Sequence, residues 1–113
     1  MKLNLSKAEE SALKEFAEKA LKKFKDRILF IKLFGSKARG DFNEYSDLDV
    51  LILVDRADVQ ISKGIISIAF ETSLKYKVYI SAKIIGREEF SRLSKIGTTF
   101  TKNIEKEGVG LYA

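Results

Sequence analysis

Gly35-Ser36-Lys37-Ala38-Arg39-Gly40-Asp41-Phe42-Asn43-Glu44-Tyr45-Ser46-Asp47-Leu48-Asp49 is the stretch on which the reading of this chain turns. An apolar run, Ile28 to Phe34, leads into it, and a second, Val50 to Val54, leads out. Both runs are rich in β-branched and aromatic residues and read as buried strands. Gly35 ends the first strand, and Ser36 to Arg39 can form a short helical turn that Gly40 breaks. Residues 41–46 are polar and loop-like. The second strand runs from Asp47 to Asp55. Alternation puts Leu48, Val50, Ile52 and Val54 on one face and Asp47, Asp49, Leu51 and Leu53 on the other.

That arrangement has a chemical reading. Asp47 and Asp49 share one side of a strand start, with Cβ atoms roughly 6–7 Å apart from the strand rise. Two such carboxylates repel each other unless a divalent cation bridges them. Mg²⁺ suits the geometry, because it takes few carboxylates and completes its shell with water and phosphate oxygens. Gly35 lets the backbone turn and approach a ligand closely. Ser36 opens the helical turn, where backbone N–H groups can meet a phosphate, and its hydroxyl adds a donor. Lys37 and Arg39 add positive charge beside that phosphate. The order Gly-x4-Gly-Lys-[Ser/Thr] is absent, so this is not a P-loop. Singly, each feature is an ordinary turn, strand start or solvated cation. Together, between two strands, they form a metal-and-triphosphate site.

Outward from this stretch the chain alternates helix and strand. Ser6 with Glu9 three residues on makes a capping box. Ala8, Leu13, Phe16, Ala17, Ala20, Leu21 and Phe24 then follow at helical spacing, predicting a helix over 6–25. Ala57 or Asp58 opens a long helix whose Val59, Ile61, Ile65, Ile66, Ile68, Ala69, Phe70 and Leu74 give a broad apolar face. Lys77 to Ile85 reads as a third strand. Glu88 to Lys95 and Phe100 to Glu107 are short helices, and Gly108 stops the second. The apolar tail, Val109 to Ala113, lies on the core or adds an edge strand. The long helix between strands two and three makes the sheet at least partly parallel. The expected fold class is α/β (α+β), a mixed sheet of at least three strands flanked by helices, in one domain spanning 1–113.

Composition narrows the chemistry. The 113 residues are 45% hydrophobic and 33% charged, as in a globular domain. There is no cysteine and no histidine, which excludes disulfides, zinc sites built on Cys or His, and a histidine base. Any bound metal is a hard cation held by oxygens. No apolar run approaches the roughly 20 residues that span a bilayer, and Met1-Lys2-Leu3-Asn4 starts no signal-peptide core. No membrane association is expected, and the expected location is cytoplasmic. The net charge of +5 is spread along the chain. It forms no basic stripe interleaved with aromatics, so the pattern does not favour nucleic acid as a direct substrate.

Gly35-Ser36, ten intervening residues, then Asp47-Leu48-Asp49-Val50 resembles the Gly-Ser-x10-Asp-x-Asp motif of the DNA polymerase beta nucleotidyltransferase superfamily. Ala38-Arg39-Gly40 and Ser46-Asp47 are similar to its small members, the minimal nucleotidyltransferases (MNT domains). The resemblance covers nearly the whole chain. It implies a nucleotidyltransferase fold, Mg²⁺ at Asp47 and Asp49, and a nucleoside triphosphate, ATP above all, contacted by Gly35 and Ser36. It also implies pairing with a helical HEPN-type toxin, for which the MNT protein is the antitoxin and, in some pairs, the enzyme that transfers AMP to a toxin tyrosine. Catalytic members carry a third carboxylate on a later strand. Lys77 to Ile85 has no acid, and Tyr79 and Ser81 take its sheet face. Glu71, on the preceding helix, is the nearest acid before it. The alternative is a nucleotide-binding protein that neutralises its partner by covering it.

Overall fold

The computed structural model describes residues 5–40 and 47–113. The elements are α1 (Lys7–Phe24), a 3₁₀ turn (Lys25–Arg27), β1 (Ile28–Phe34), α2 (Gly35–Arg39), β2 (Leu48–Val54), α3 (Val59–Tyr76), β3 (Ile80–Gly86), α4 (Arg87–Ile96), α5 (Thr99–Glu107) and β4 (Val109–Tyr112). The expected loop over 41–46 lies outside the described residues.

The strands form one mixed sheet in the order β3-β2-β1-β4. β1 pairs antiparallel with β2 and β4, whereas β2 and β3 run parallel, as the crossover through α3 requires. The expected α+β architecture therefore holds, and the apolar tail takes the edge-strand option. β2 is central and buried on both faces along most of its length, which explains its unbroken Val50–Val54 run.

Alternation divides the sheet into two working faces. Ile31, Leu33, Leu48, Val50, Ile52, Val54 and Ile80 join Leu13, Phe16 and Ala20 of α1 and Ile61, Ile65 and Ala69 of α3 in the main core. The other face carries α4 and α5. Phe30 stacks edge-on against Phe90, with centroids 5.8 Å apart, and Phe34 against Phe100 at 5.6 Å. Leu51 and Leu53 are buried beneath these helices.

The capping box at Ser6 and Glu9 forms as expected, with both reciprocal hydrogen bonds in place. Gly64 lets α3 approach α1, since a Cβ there would run into the Phe24 ring. Two sequence expectations shift. Ala8 is exposed, because the first turn of α1 precedes the stripe that meets the sheet. β3 starts at Ile80 rather than Lys77, because Lys77 caps α3 with φ 54° and the Val78 N–H donates back to the Ser73 carbonyl. That closure uses up the residues expected to open the strand. A third difference is larger. Only part of the expected apolar face of α3 is covered, and Val59, Ile66, Phe70 and Leu74 stand in solvent.

Glu15 joins the middle of α1 to the C-terminal end of α3. Its carboxylate accepts from Lys75 Nζ at 2.7 Å and Tyr76 Oη at 2.8 Å, and pairs with Lys19 at 3.0 Å. Lys75, then Tyr76 and Lys19, hold it from the ordinary value of 4.5 down to about 2. A depressed carboxylate pKa adds stability that is complete above the unfolded value and is lost as pH falls through the folded one. The melting temperature is therefore expected to fall between pH 4.5 and about 2. Glu15→Gln should lower it at pH 7 and flatten the acid limb, as thermal melts across that range will show.

Candidate active site

The two halves of the Gly35–Asp49 stretch meet in space. β1 and β2 are in antiparallel register with Phe34 opposite Asp49, and β2 and β3 in parallel register with Asp49 beside Ser81. Phe34, Asp49 and Ser81 thus form one row across the α4/α5 face. Asp47 stands just before the strand, on the same face by alternation. The chain turns at Gly35, whose φ is +76°, and enters α2. A Cβ built on Gly35 would overlap Asp49 Oδ2, and Asp49 Cγ would lie 3.1 Å from it. Glycine is required here twice over, by the left-handed backbone and by the carboxylate resting against it.

Asp49 is half-buried. Burial, then the charge of Asp47, push its pKa up, and Arg39 and Lys83 partly offset that rise. Those two cations are the positive groups the fold brings to Asp49. Arg39 ends α2 and lies 3.6 Å from Glu107 Oε2 at the close of α5. Lys83 lies one row further along the sheet, in register with Leu51, with its ammonium 5.5 Å from the centre of the Phe100 ring. Lys37, expected beside the phosphate, goes elsewhere. Its side chain is 3% exposed and its Nζ lies 2.7 Å from Glu9 Oε2 of α1. Burial works against the charge on Glu9, but hydrogen bonds from Lys37, from the Ser6 backbone and from the Ser6 hydroxyl hold its pKa below the usual range. This pair ties α2 to the start of α1.

Lys83 and Glu107 were missed in reading the sequence. Lys83 had a signal, because period two puts it on the Asp49 face. Glu107 had none, since only the packing of α5 against β1 and α2 brings it to Arg39. Glu71 is exposed on α3, across the sheet from Asp49. The Tyr79 carbonyl accepts from the Leu48 N–H at 2.8 Å, which sets Tyr79 next to Asp47. Among the described residues no three His, Cys, Asp or Glu gather at one point. Among the described residues the carboxylates at this spot are Asp47 and Asp49, with the Gly35 backbone against one of them. Two carboxylates on one face, one desolvated and raised by its neighbour, fit a hard divalent cation.

The sequence profile of the nucleotidyltransferase domain family matches residues 13–110. The chain belongs to that family. Two proteins of Methanocaldococcus jannaschii that carry the name "putative protein adenylyltransferase" are similar. One is 41% identical over 92% of this chain and 98% of its own length, and the other 40% identical over 86% and 92%. The fold is also that of a chain in a toxin–antitoxin crystal structure with AMP-PNP. It has a TM-score of 0.59 and 19% identity over 88% of this chain and 73% of that one. A nucleotidyltransferase-type chain from Sulfolobus solfataricus matches at TM-score 0.50, with 18% identity over 96% and 90%. No helix among the described residues is long and apolar enough to cross a membrane.

Gly35→Ala puts a Cβ into the Asp49 carboxylate and forces a side chain into the left-handed region, at a cost of about 1–2 kcal/mol. It is expected to lower the melting temperature by several degrees. By pushing Asp49 outward it should also bring that carboxyl's pKa back toward the ordinary value. Carbon-13 NMR titration of Asp49 measures the shift, and an unchanged titration would show that the two groups do not touch.

Proposed function

We propose that this protein transfers an adenylyl group from ATP to a hydroxyl of a partner protein, with Mg²⁺ as cofactor, and that it is the antitoxin of a pair with a helical HEPN-type toxin. The observation that supports this most is the contact of the Gly35 backbone with Asp49, which joins a phosphate-type turn to a paired-carboxylate metal site. The adenylyltransferase relatives support the reaction class, and the toxin–antitoxin neighbour supports the setting.

In this reading Asp47 and Asp49 hold the cation, and Gly35 and Ser36 present backbone N–H groups and a hydroxyl to the phosphates. Mg²⁺ would neutralise phosphate charge and favour in-line displacement. Arg39 and Lys83 flank Asp49 and balance the negative charge of the triphosphate. Arg39 is held in place from the far side by Glu107. Lys37 acts through Glu9, fixing α2 so that Gly35 and Ser36 keep their orientation. The acceptor oxygen bonds to the α-phosphorus as the bond to pyrophosphate breaks, and its proton leaves to solvent.

Tyr79, just before β3, and Ser81 on it stand where a third carboxylate would act as base. General-base help supplies about 10²–10⁴-fold, so slow turnover is expected. The same observation favours a second reading, in which the protein binds nucleotide but neutralises its partner by contact alone. Incubation of ATP labelled at the α-phosphate, Mg²⁺ and the helical partner distinguishes the two. Transfer predicts label on the partner that disappears with Asp47→Asn. The binding reading predicts no label, and neutralisation that survives Asp47→Asn with Asp49→Asn.

Lys83→Gln is expected to weaken ATP affinity about tenfold, the order of one charge-assisted contact, with little change in the melting temperature. Lys83→Arg should restore most of it. Calorimetry with and without Mg²⁺ measures both, and equal affinities for all three proteins would remove Lys83 from the site.

A further inference from the structure

α3 carries two apolar stripes. Ile61, Ile65, Ala69 and Thr72 are buried against the sheet. On the far side of the helix lie Val59, Lys63, Ile66, Phe70 and Leu74, spaced 4, 3, 4 and 4 residues apart, and Lys77, which caps the helix, lines the groove beyond them. Such a spacing keeps residues on one face of a helix. The four apolar members are 54–69% exposed. Between this stripe and β3 runs a groove of about 650 Å³, with Ile66, Phe70 and Leu74 on the helix side and Tyr79, itself 64% exposed, on the strand side. β3 is an outer strand, so the groove is open along its length. An apolar patch of this extent and continuity marks an interaction site.

The stripe also says what fits it. Its centre is apolar, a lysine interrupts it near one end and another closes it at the other, and it has no acidic residue. A 3–4 apolar seam is what one helix offers another. A second copy is a poor occupant. Along this stripe a second copy's α3 offers Lys63 and Lys77 no carboxylate, because Glu71 lies off the stripe on the side of the helix, and each copy carries +5. Burying an ammonium without a counter-charge is costly.

We infer that the groove between α3 and β3 is the docking site for an amphipathic helix of another protein, with apolar residues along its centre and carboxylates toward its two ends, placed to meet Lys63 and Lys77. The inference rests on the surface alone and does not require nucleotidyl transfer.

The test uses the full-length protein without nucleotide. Two stapled helical peptides of about 20 residues serve as probes, both with leucines at 3–4 spacing, one with glutamates toward its ends and the other with lysines there. Fluorescence anisotropy is expected to show binding of the acidic-ended peptide and at least tenfold weaker binding of the basic one. Phe70→Glu should weaken binding about thirtyfold or more, as for an aromatic anchor, with the thermal melt showing that the exposed substitution leaves the fold intact. Lys63→Glu with Lys77→Glu should reverse the preference between the peptides. Equal binding of both peptides, binding of neither, or indifference to Phe70→Glu would each overturn the inference. So would a dimer in sedimentation that Phe70→Glu dissolves, because the face would then belong to a second copy.

Discussion

The contact between the Gly35 backbone and the Asp49 carboxylate is the constraint on which this structure depends. β1 and β2 must be adjacent for it to form, and their register must put Phe34 opposite Asp49. A slip of one residue would turn Asp49 into the core and Val50 out toward α5. The register is held by what each face demands. Ile31, Leu33, Val50 and Ile52 are wholly buried beneath α1 and α3. On the other face Phe34 is clamped by Phe100. The core therefore fixes the register of the site, and the Lys37–Glu9 and Arg39–Glu107 pairs hold the helical turn beside it.

The helices divide the work between the faces. α1 and α3 bury the greater apolar area and carry the stability of the domain. α4 and α5 cover the site face only partly, and Asp47 and Asp49 stay half-buried rather than enclosed. Small contacts then tune the geometry. The pair of Lys37 and Glu9 crosses from α2 to α1, with the lysine almost fully buried. Breaking one partner of such a pair leaves an uncompensated buried charge and costs more than the pair adds to stability. The capping glutamate of α1 therefore also positions the turn that follows β1.

Much of this was legible in the sequence. Helical and strand periods marked out the elements: in β1 the buried Ile31 and Leu33 alternate with more exposed neighbours, and in β2 the unbroken apolar run marks a strand buried on both faces. Gly35, Ser36, Asp47 and Asp49 could be named as one site because neither core packing nor a plain surface turn calls for two glycines, a serine and two close aspartates between apolar strands. Tertiary choices were not legible. Lys37 and Arg39 look equivalent in sequence, yet the helical turn sends one into the protein against Glu9 and the other toward Glu107. Glu107 stands sixty-eight residues beyond Arg39 in the chain, and no local pattern signals that meeting. The apolar breadth of α3 was visible, but periodicity cannot say how many neighbours will cover it.

The charges around Asp49 bear on how the site can work. Among the described residues Asp47 and Asp49 contribute two negative charges, Arg39 and Lys83 bring two positive ones to the same face, and Glu107 stands 3.6 Å from Arg39. Burial first, then the charge of Asp47, raises the Asp49 pKa, and these two cations partly offset that rise. A third carboxylate at Tyr79 or Ser81 would add a further negative charge to this face. With a tyrosine and a serine there, one divalent ion already leaves the site net positive. A polyanionic triphosphate is favoured by such a field, which acts on binding before it acts on rate. In the proposed role, Tyr79, Ser81 and Lys83 would thus favour holding a triphosphate over speeding its transfer, and the lysine and the lack of a third carboxylate among the described residues are two sides of one electrostatic arrangement.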